Sequence, residues 1–114
     1  MDVVAVKDPQ AWDRALLDLP DPQVLQSWAW GELKGRHGWG AGRLLFHEGA
    51  QAVAAASVLE RRALSLPLPL VPASILYVPR GPALDWNDEP RVERVLGELE
   101  ALARRRRAMF VKID

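Results

Sequence analysis

A long amphipathic helix followed at once by a strand constrains this chain more than any other feature. Val92, Val95, Leu96, Leu99, Leu102 and Ala103 keep to helical spacing while charged residues fill the opposite side, which reads as a helix docked along one face. Asn87 or Asp88 is placed to cap it, and Pro90 suits its first turn. Arg104 to Arg107 sit at its carboxyl end, where cations suit the helix dipole, and read as a solvated helix end. Residues 109–114 then read as a strand, and residues 75–78 as another strand ahead of the helix. A strand reached through such a crossover runs parallel to its neighbour inside a mixed sheet. Nothing in the sequence remains to cover the last strand, so the expectation is a truncated domain, or a swapped or oligomeric assembly that pairs through residues 109–114.

The rest of the chain supplies further strands and two shorter helices. Residues 3–6 are a short strand that ends where Asp8 and Pro9 offer a cap and a first helical residue. Trp12, Ala15, Leu16 and Leu19 give the following helix one apolar face until Pro20 and Pro22 stop it. Ser27 can cap a second helix running towards His37, with Gly38 as its left-handed closing residue. Gly31 and Gly35 lie on one face of that helix, each costing about 1 kcal/mol relative to alanine, so a close approach by backbone or ligand is expected there. Residues 42–46 and 51–60 read as antiparallel strands joined at His47-Glu48-Gly49-Ala50. The second is apolar on both faces, as in a strand covered on both sides. Pro67, Pro69 and Pro72 make residues 66–73 an extended connection.

Composition excludes several classes. A chain of 114 residues supports one hydrophobic core. Lysine plus arginine equals aspartate plus glutamate at 15 each, so no global field draws it to nucleic acid or an anionic membrane, and any anion must be held locally. The absence of cysteine removes thiol nucleophiles and cysteine-rich zinc sites. The amino terminus does not read as a secretory signal, and no apolar run is long enough to span a bilayer, which makes a cytoplasmic protein the expectation. His37 and His47 have no partner ligands at metal spacing, and neither reads as functional. Trp28, Trp30 and Trp39 read as core residues before sugar or peptide contacts.

Three segments carry a family resemblance. Gln26-Ser27-Trp28-Ala29-Trp30-Gly31-Glu32-Leu33-Lys34 is similar to the Q-S-x-x-W-x-x-x-K segment near the start of FemAB family members. Tyr77-Val78-Pro79-Arg80-Gly81-Pro82-Ala83-Leu84-Asp85 resembles the family's Y-x-P-R-G-P-x-x-D stretch, and Phe110-Val111-Lys112-Ile113-Asp114 resembles the strand after its helix. Their order and surrounding elements agree. The resemblance implies an α/β (α+β) GNAT-like acyltransferase fold, with a mixed, mostly antiparallel sheet flanked by helices and incomplete at the carboxyl end. Residues 1–114 would be the amino-terminal portion of such a domain, the remainder of the enzyme being absent.

The implied activity is transfer of an amino acid from aminoacyl-tRNA, the co-substrate, to the stem peptide of a nucleotide-linked or lipid-linked peptidoglycan precursor, without metal or coenzyme A. By the same resemblance Lys34 contacts precursor phosphates, against the plainer reading of a solvated helix lysine. Arg80, beside Gly81 whose bare Cα permits close approach, clamps a phosphate or carboxylate, or else pairs with Asp85 or Glu89 in its loop. Asp85 orients the acceptor or takes a proton from its amine, against a plainer reading as a turn residue at the helix entry. Two alternatives stay open. One is a non-catalytic half-domain that binds through its terminal strand, and the other a coenzyme-A-dependent acyltransferase, for which no glycine-rich loop opening a helix occurs.

Overall fold

A computed structural model describes residues 1–62 and 74–114; the expected extended connection at 66–73 lies outside them. Strand β1 (Asp2–Ala5) leads into helix α1 (Pro9–Leu17), and a 3-10 turn (Val24–Gln26) leads into helix α2 (Trp28–Gly35). Strands β2 (Gly40–Glu48), β3 (Gln51–Arg62) and β4 (Ser74–Val78) follow, then helix α3 (Glu89–Arg105) and strand β5 (Ala108–Ile113). The sheet has five strands in the order β1-β2-β3-β4-β5. Its first three pairings are antiparallel. The α3 crossover then brings β5 back parallel to β4, with Tyr77 opposite Lys112 and Val78 opposite Ile113. The mixed sheet expected from the helix-then-strand ending is present. Among the described residues the last strand pairs with β4 alone and lies at the edge of that sheet, the uncovered position expected for it.

The helix ends follow their local chemistry. The Asp8 carboxylate accepts from the Gln10 amide at 3.3 Å, Ser27 Oγ accepts from the Trp30 amide at 3.2 Å, and Asp88 accepts from the Arg91 amide at 3.2 Å. Each satisfies a donor that the first helical turn leaves over. Of the two expected caps for α3, Asp88 is the one used. Helix α2 ends at Gly35, and Gly38 takes φ +90° in the turn that follows.

Strand β3 is buried from Val53 to Leu59 because both of its faces are covered. Ala54, Ala56 and Val58 meet Val95 and Leu99 of α3, together with Phe46, Leu76 and Val78. Ala55, on the other face, meets Trp12, Leu16 and Leu19. Each large side chain fully buried in these clusters contributes about 1.5–3 kcal/mol of transfer free energy. The alanines of β3 let α1 and α3 approach the sheet closely.

Candidate functional site

The chain leaves β4 through residues 79–82 and returns to the sheet at Ala83. There it pairs with Ala55 of β3, with N···O distances of 2.7 and 3.0 Å in the two directions. Between those points Arg80 and Gly81 both adopt left-handed backbone, with φ of 61° and 68°. Such a conformation in a non-glycine residue is held only where its surroundings over-determine it. Three hydrogen bonds do so here. The Gly81 amide donates to Val78 O at 3.0 Å, Gln26 Nε2 donates to Gly81 O at 3.1 Å, and the Arg80 amide donates to Asp114 Oδ1 at 2.6 Å.

Gln26 is the bolt of this region. Its side chain, 2% exposed, accepts from the Gln23 amide at 2.9 Å while donating to the loop. Its own carbonyl accepts from the Trp12 indole N–H at 2.9 Å. The 3-10 turn, α1 and the Pro79–Pro82 loop are thereby joined through one residue.

A cavity of about 190 Å³ opens beside the loop, at the carboxyl ends of the parallel pair β4 and β5. This is the end of a parallel pair at which ligands ordinarily bind. Asp21, Gln23, Arg80, Trp86 and Asp114 lie on its walls, and Asp21, like Arg80, holds a left-handed backbone. Asp114 Oδ2 accepts from the Tyr77 hydroxyl at 2.8 Å. The Arg80 amide, and after it the Tyr77 hydroxyl, hold the Asp114 carboxyl below the usual carboxylate range. Burial, and then the bond to Asp114, push the Tyr77 phenol upward. The cavity therefore sets the Arg80 guanidinium and the Asp114 carboxylate around one space.

The sequence-predicted residues divide around this cavity. Arg80 lines it, and none of the ion pairs among the described residues joins Arg80 to Asp85 or Glu89. Lys34 lies half-buried on α2, its Nζ 5.2 Å from the Trp30 ring centroid, and is not on the cavity wall. Asp85 is exposed at the loop's exit, where its Oδ1 accepts from the Asn87 amide at 3.0 Å. Asp114, Tyr77 and Gln26 were not singled out as site residues, although each sits at an end of one of the three motif segments. That position was the available signal.

Two expectations need correction. Trp28 packs against the Trp12 cluster as expected, although only half-buried, whereas Trp30 and Trp39 are half-buried outside both core clusters. All three carry a cation on the ring, Arg43 at 3.6 Å, Lys34 at 5.2 Å and Arg61 at 4.5 Å. The bare faces of Gly31 and Gly81 are filled by protein side chains, and that of Gly35 is open. A Cβ on Gly31 would lie 2.5 Å from Arg43 Nη2, whose guanidinium also reaches Trp28 O at 2.9 Å. A Cβ on Gly81 would meet Ile113 and Trp86 at 3.0 and 3.1 Å. Around Gly35 nothing lies within 4 Å.

A second hollow of about 300 Å³ lies on the same side of the sheet as Tyr77, lined by Trp39, Ile75, Tyr77, Phe110 and Lys112. The Trp39 and Tyr77 rings stand 6.2 Å apart there. No described helix is long and apolar enough to cross a membrane.

Comparison with known proteins gives one consistent answer. The model of the FemAB family matches residues 18–114. The lipid II:glycine glycyltransferase of Staphylococcus haemolyticus is 28% identical over 95 residues, covering 83% of this chain and 22% of that protein. The lipid II:glycine glycyltransferase of Staphylococcus saprophyticus is 28% identical over 105 residues, covering 92% and 24%. The crystal structure of FemX matches the whole chain and 27% of its own, with a TM-score of 0.80 at 24% identity, a likeness of fold. The chain thus spans about a quarter of the length of these relatives.

Proposed function

The chain belongs to the FemAB family, and from that premise we propose that it is part of an aminoacyltransferase acting in formation of the peptidoglycan interpeptide bridge. The donor in this reading is an aminoacyl-tRNA, and the acceptor an amine on the stem peptide of a lipid-linked or nucleotide-linked precursor. These 114 residues form the amino-terminal portion of a GNAT-like domain in the reading, and the activity belongs to the longer protein in the cytoplasm. The observation that carries it is the cavity at the ends of β4 and β5, where Arg80 and an ionised Asp114 share one space.

The chemistry is aminolysis of an activated ester. The unprotonated amine attacks the ester carbonyl, a C–N bond forms, the C–O bond to the tRNA ribose breaks, and a proton passes from the amine to the leaving oxygen. An ester already activated needs alignment more than a further catalyst, and alignment alone supplies several kcal/mol, so the reading calls for neither metal nor coenzyme A. Arg80 suits a phosphate or carboxylate of the acceptor, Lys34 its phosphates, and Asp114 its amine in the charged form. Asp85 is already engaged in the turn that enters α3. The test is to incubate the longer protein that contains this chain, once purified, with labelled aminoacyl-tRNA and a muropeptide precursor. A precursor heavier by one amino-acid residue in the mass spectrum supports the reading; release of free amino acid without transfer overturns it.

Two substitutions assign the motif residues. Lys34→Met is expected to weaken precursor binding by roughly 1–3 kcal/mol, the worth of a hydrogen bond to a charged group, as measured by titration calorimetry. Unchanged affinity would remove Lys34 from the site. Asp85→Asn keeps an oxygen for the Asn87 amide while deleting the charge, so turnover is expected to stay near the parent value. A large fall in turnover would return Asp85 to the reacting centre.

The edge position of β5 favours a second reading. Met109 is 54% and Phe110 51% exposed, on a strand whose ladder among the described residues is to β4 alone. Such an edge invites pairing with another chain, as a binding half-domain would use it. Light scattering distinguishes this reading, since a monomer at high concentration counts against it.

A further inference from the structure

Tyr77 heads the Tyr77-Val78-Pro79-Arg80-Gly81-Pro82 stretch, yet its hydroxyl points away from the loop's own backbone to Asp114 on the neighbouring strand's end. Its ring is half-buried, with Trp39 tilted at 52° against it and Lys112 Nζ 5.5 Å from its centroid. Packing therefore sets where the hydroxyl points. One carboxylate oxygen of Asp114 takes the Tyr77 O–H at 2.8 Å and the other takes the Arg80 N–H at 2.6 Å. With one donor on each oxygen the plane of the carboxylate is fixed, and each oxygen keeps a lone pair for a ligand.

We propose that Tyr77 is a positioning residue, whose hydroxyl, together with the Arg80 amide, holds the Asp114 carboxylate at the cavity to receive a cationic amine of the acceptor peptide. This rests on the reading of the cavity as the acceptor site. The charged and titratable groups facing Asp114 are Tyr77 from β4, Arg80 from the loop, Lys112 from β5 and Asp21 across the cavity. Donors on both oxygens make this carboxylate a poor proton acceptor, whereas a general base is most effective with a pKa near the working pH. Asp114 therefore anchors the ammonium before the proton is lost, and its effect falls on KM.

Tyr77→Phe keeps the ring and removes the hydroxyl. The Michaelis constant for the acceptor is expected to rise roughly tenfold, the loss of one hydrogen bond to a charged group, with kcat little changed. The acid limb of kcat/KM moves to higher pH, because a carboxylate that loses a donor protonates more readily. Carbon-13 titration of the Asp114 carboxyl in the purified protein, assigned by the signal missing in Asp114→Asn, is expected to move the same way and needs no activity. A titration and acid limb that stay in place in Tyr77→Phe, whatever its melting temperature, overturn the proposal while leaving the acceptor site intact. If Asp114→Asn leaves kcat/KM unchanged, the acceptor-site reading itself fails, and the positioning role fails with it.

Discussion

Replacing Trp12 with alanine is expected to cost about 3–5 kcal/mol of stability, the range for emptying a fully buried tryptophan site. Trp12 is wholly enclosed, packed with Leu16, Leu19, Ala55 and Ala83 between α1 and the sheet. Its indole N–H also satisfies the carbonyl of Gln26, so the substitution leaves both a cavity and a buried acceptor. Domains of ordinary stability have only about 5–15 kcal/mol in total, and the variant is expected to be largely unfolded at moderate denaturant. Trp12→Phe separates the two terms, because it refills most of the volume and removes only the donor, at about 1–3 kcal/mol. Denaturant midpoints of both variants provide the measurement. A loss below about 1 kcal/mol in Trp12→Ala, the level of an ordinary surface change, would mean that α1 is not docked as described.

The fold was legible wherever burial and chain direction act locally. The periodic apolar face of α3, the unbroken apolar run of β3 and the Asp8, Ser27 and Asp88 caps are all visible without tertiary knowledge, because each depends on neighbours a few residues away. The open edge of β5 was expected too, because no later element among these residues is left to pair with it. The cation partners of the tryptophans were not legible. Trp28 packs against the Trp12 cluster as its spacing suggests, yet it also carries Arg43, from a strand fifteen residues later, stacked on its ring. Cation–π partners of that kind are set by the sheet and leave no periodic trace.

The candidate site was legible in its segments and not in its connections. Arg80 could be named because a charged residue between proline and glycine in a loop is conspicuous. Tyr77 and Asp114 each look ordinary in a strand, and they become a pair only through the parallel register that sets Tyr77 opposite Lys112. Asp85, the more conspicuous carboxylate, spends one oxygen on a turn. Spacing along the chain favours such local partners, while the contacts that build a cavity join residues separated by the whole of α3.

Gln26→Leu is expected to lose about 2–4 kcal/mol, because it deprives the Gln23 amide and the Gly81 carbonyl of partners at about 1–3 kcal/mol each, offset in part by the apolar replacement. For a domain of this size that corresponds to a fall in melting temperature on the order of 10–20 °C. The site is expected to suffer beyond the stability loss. The Gly81 carbonyl is the point at which the 3-10 turn holds the loop, and the next residue back, Arg80, keeps its left-handed backbone only while both ends of the loop are tied. Released from Gln26, Arg80 can relax toward ordinary backbone and withdraw its amide from Asp114. Acceptor affinity is therefore expected to fall well below the transition temperature, where the variant is still folded by circular dichroism. Gln26→Glu tests the same bond more harshly, since it keeps the acceptor for Gln23 but sets a buried carboxylate oxygen against the Gly81 carbonyl. A Gln26→Leu protein that melts early yet binds the precursor normally at low temperature would show that the loop keeps its shape without Gln26, and that Arg80 and Asp114 are held by β4 and β5 alone.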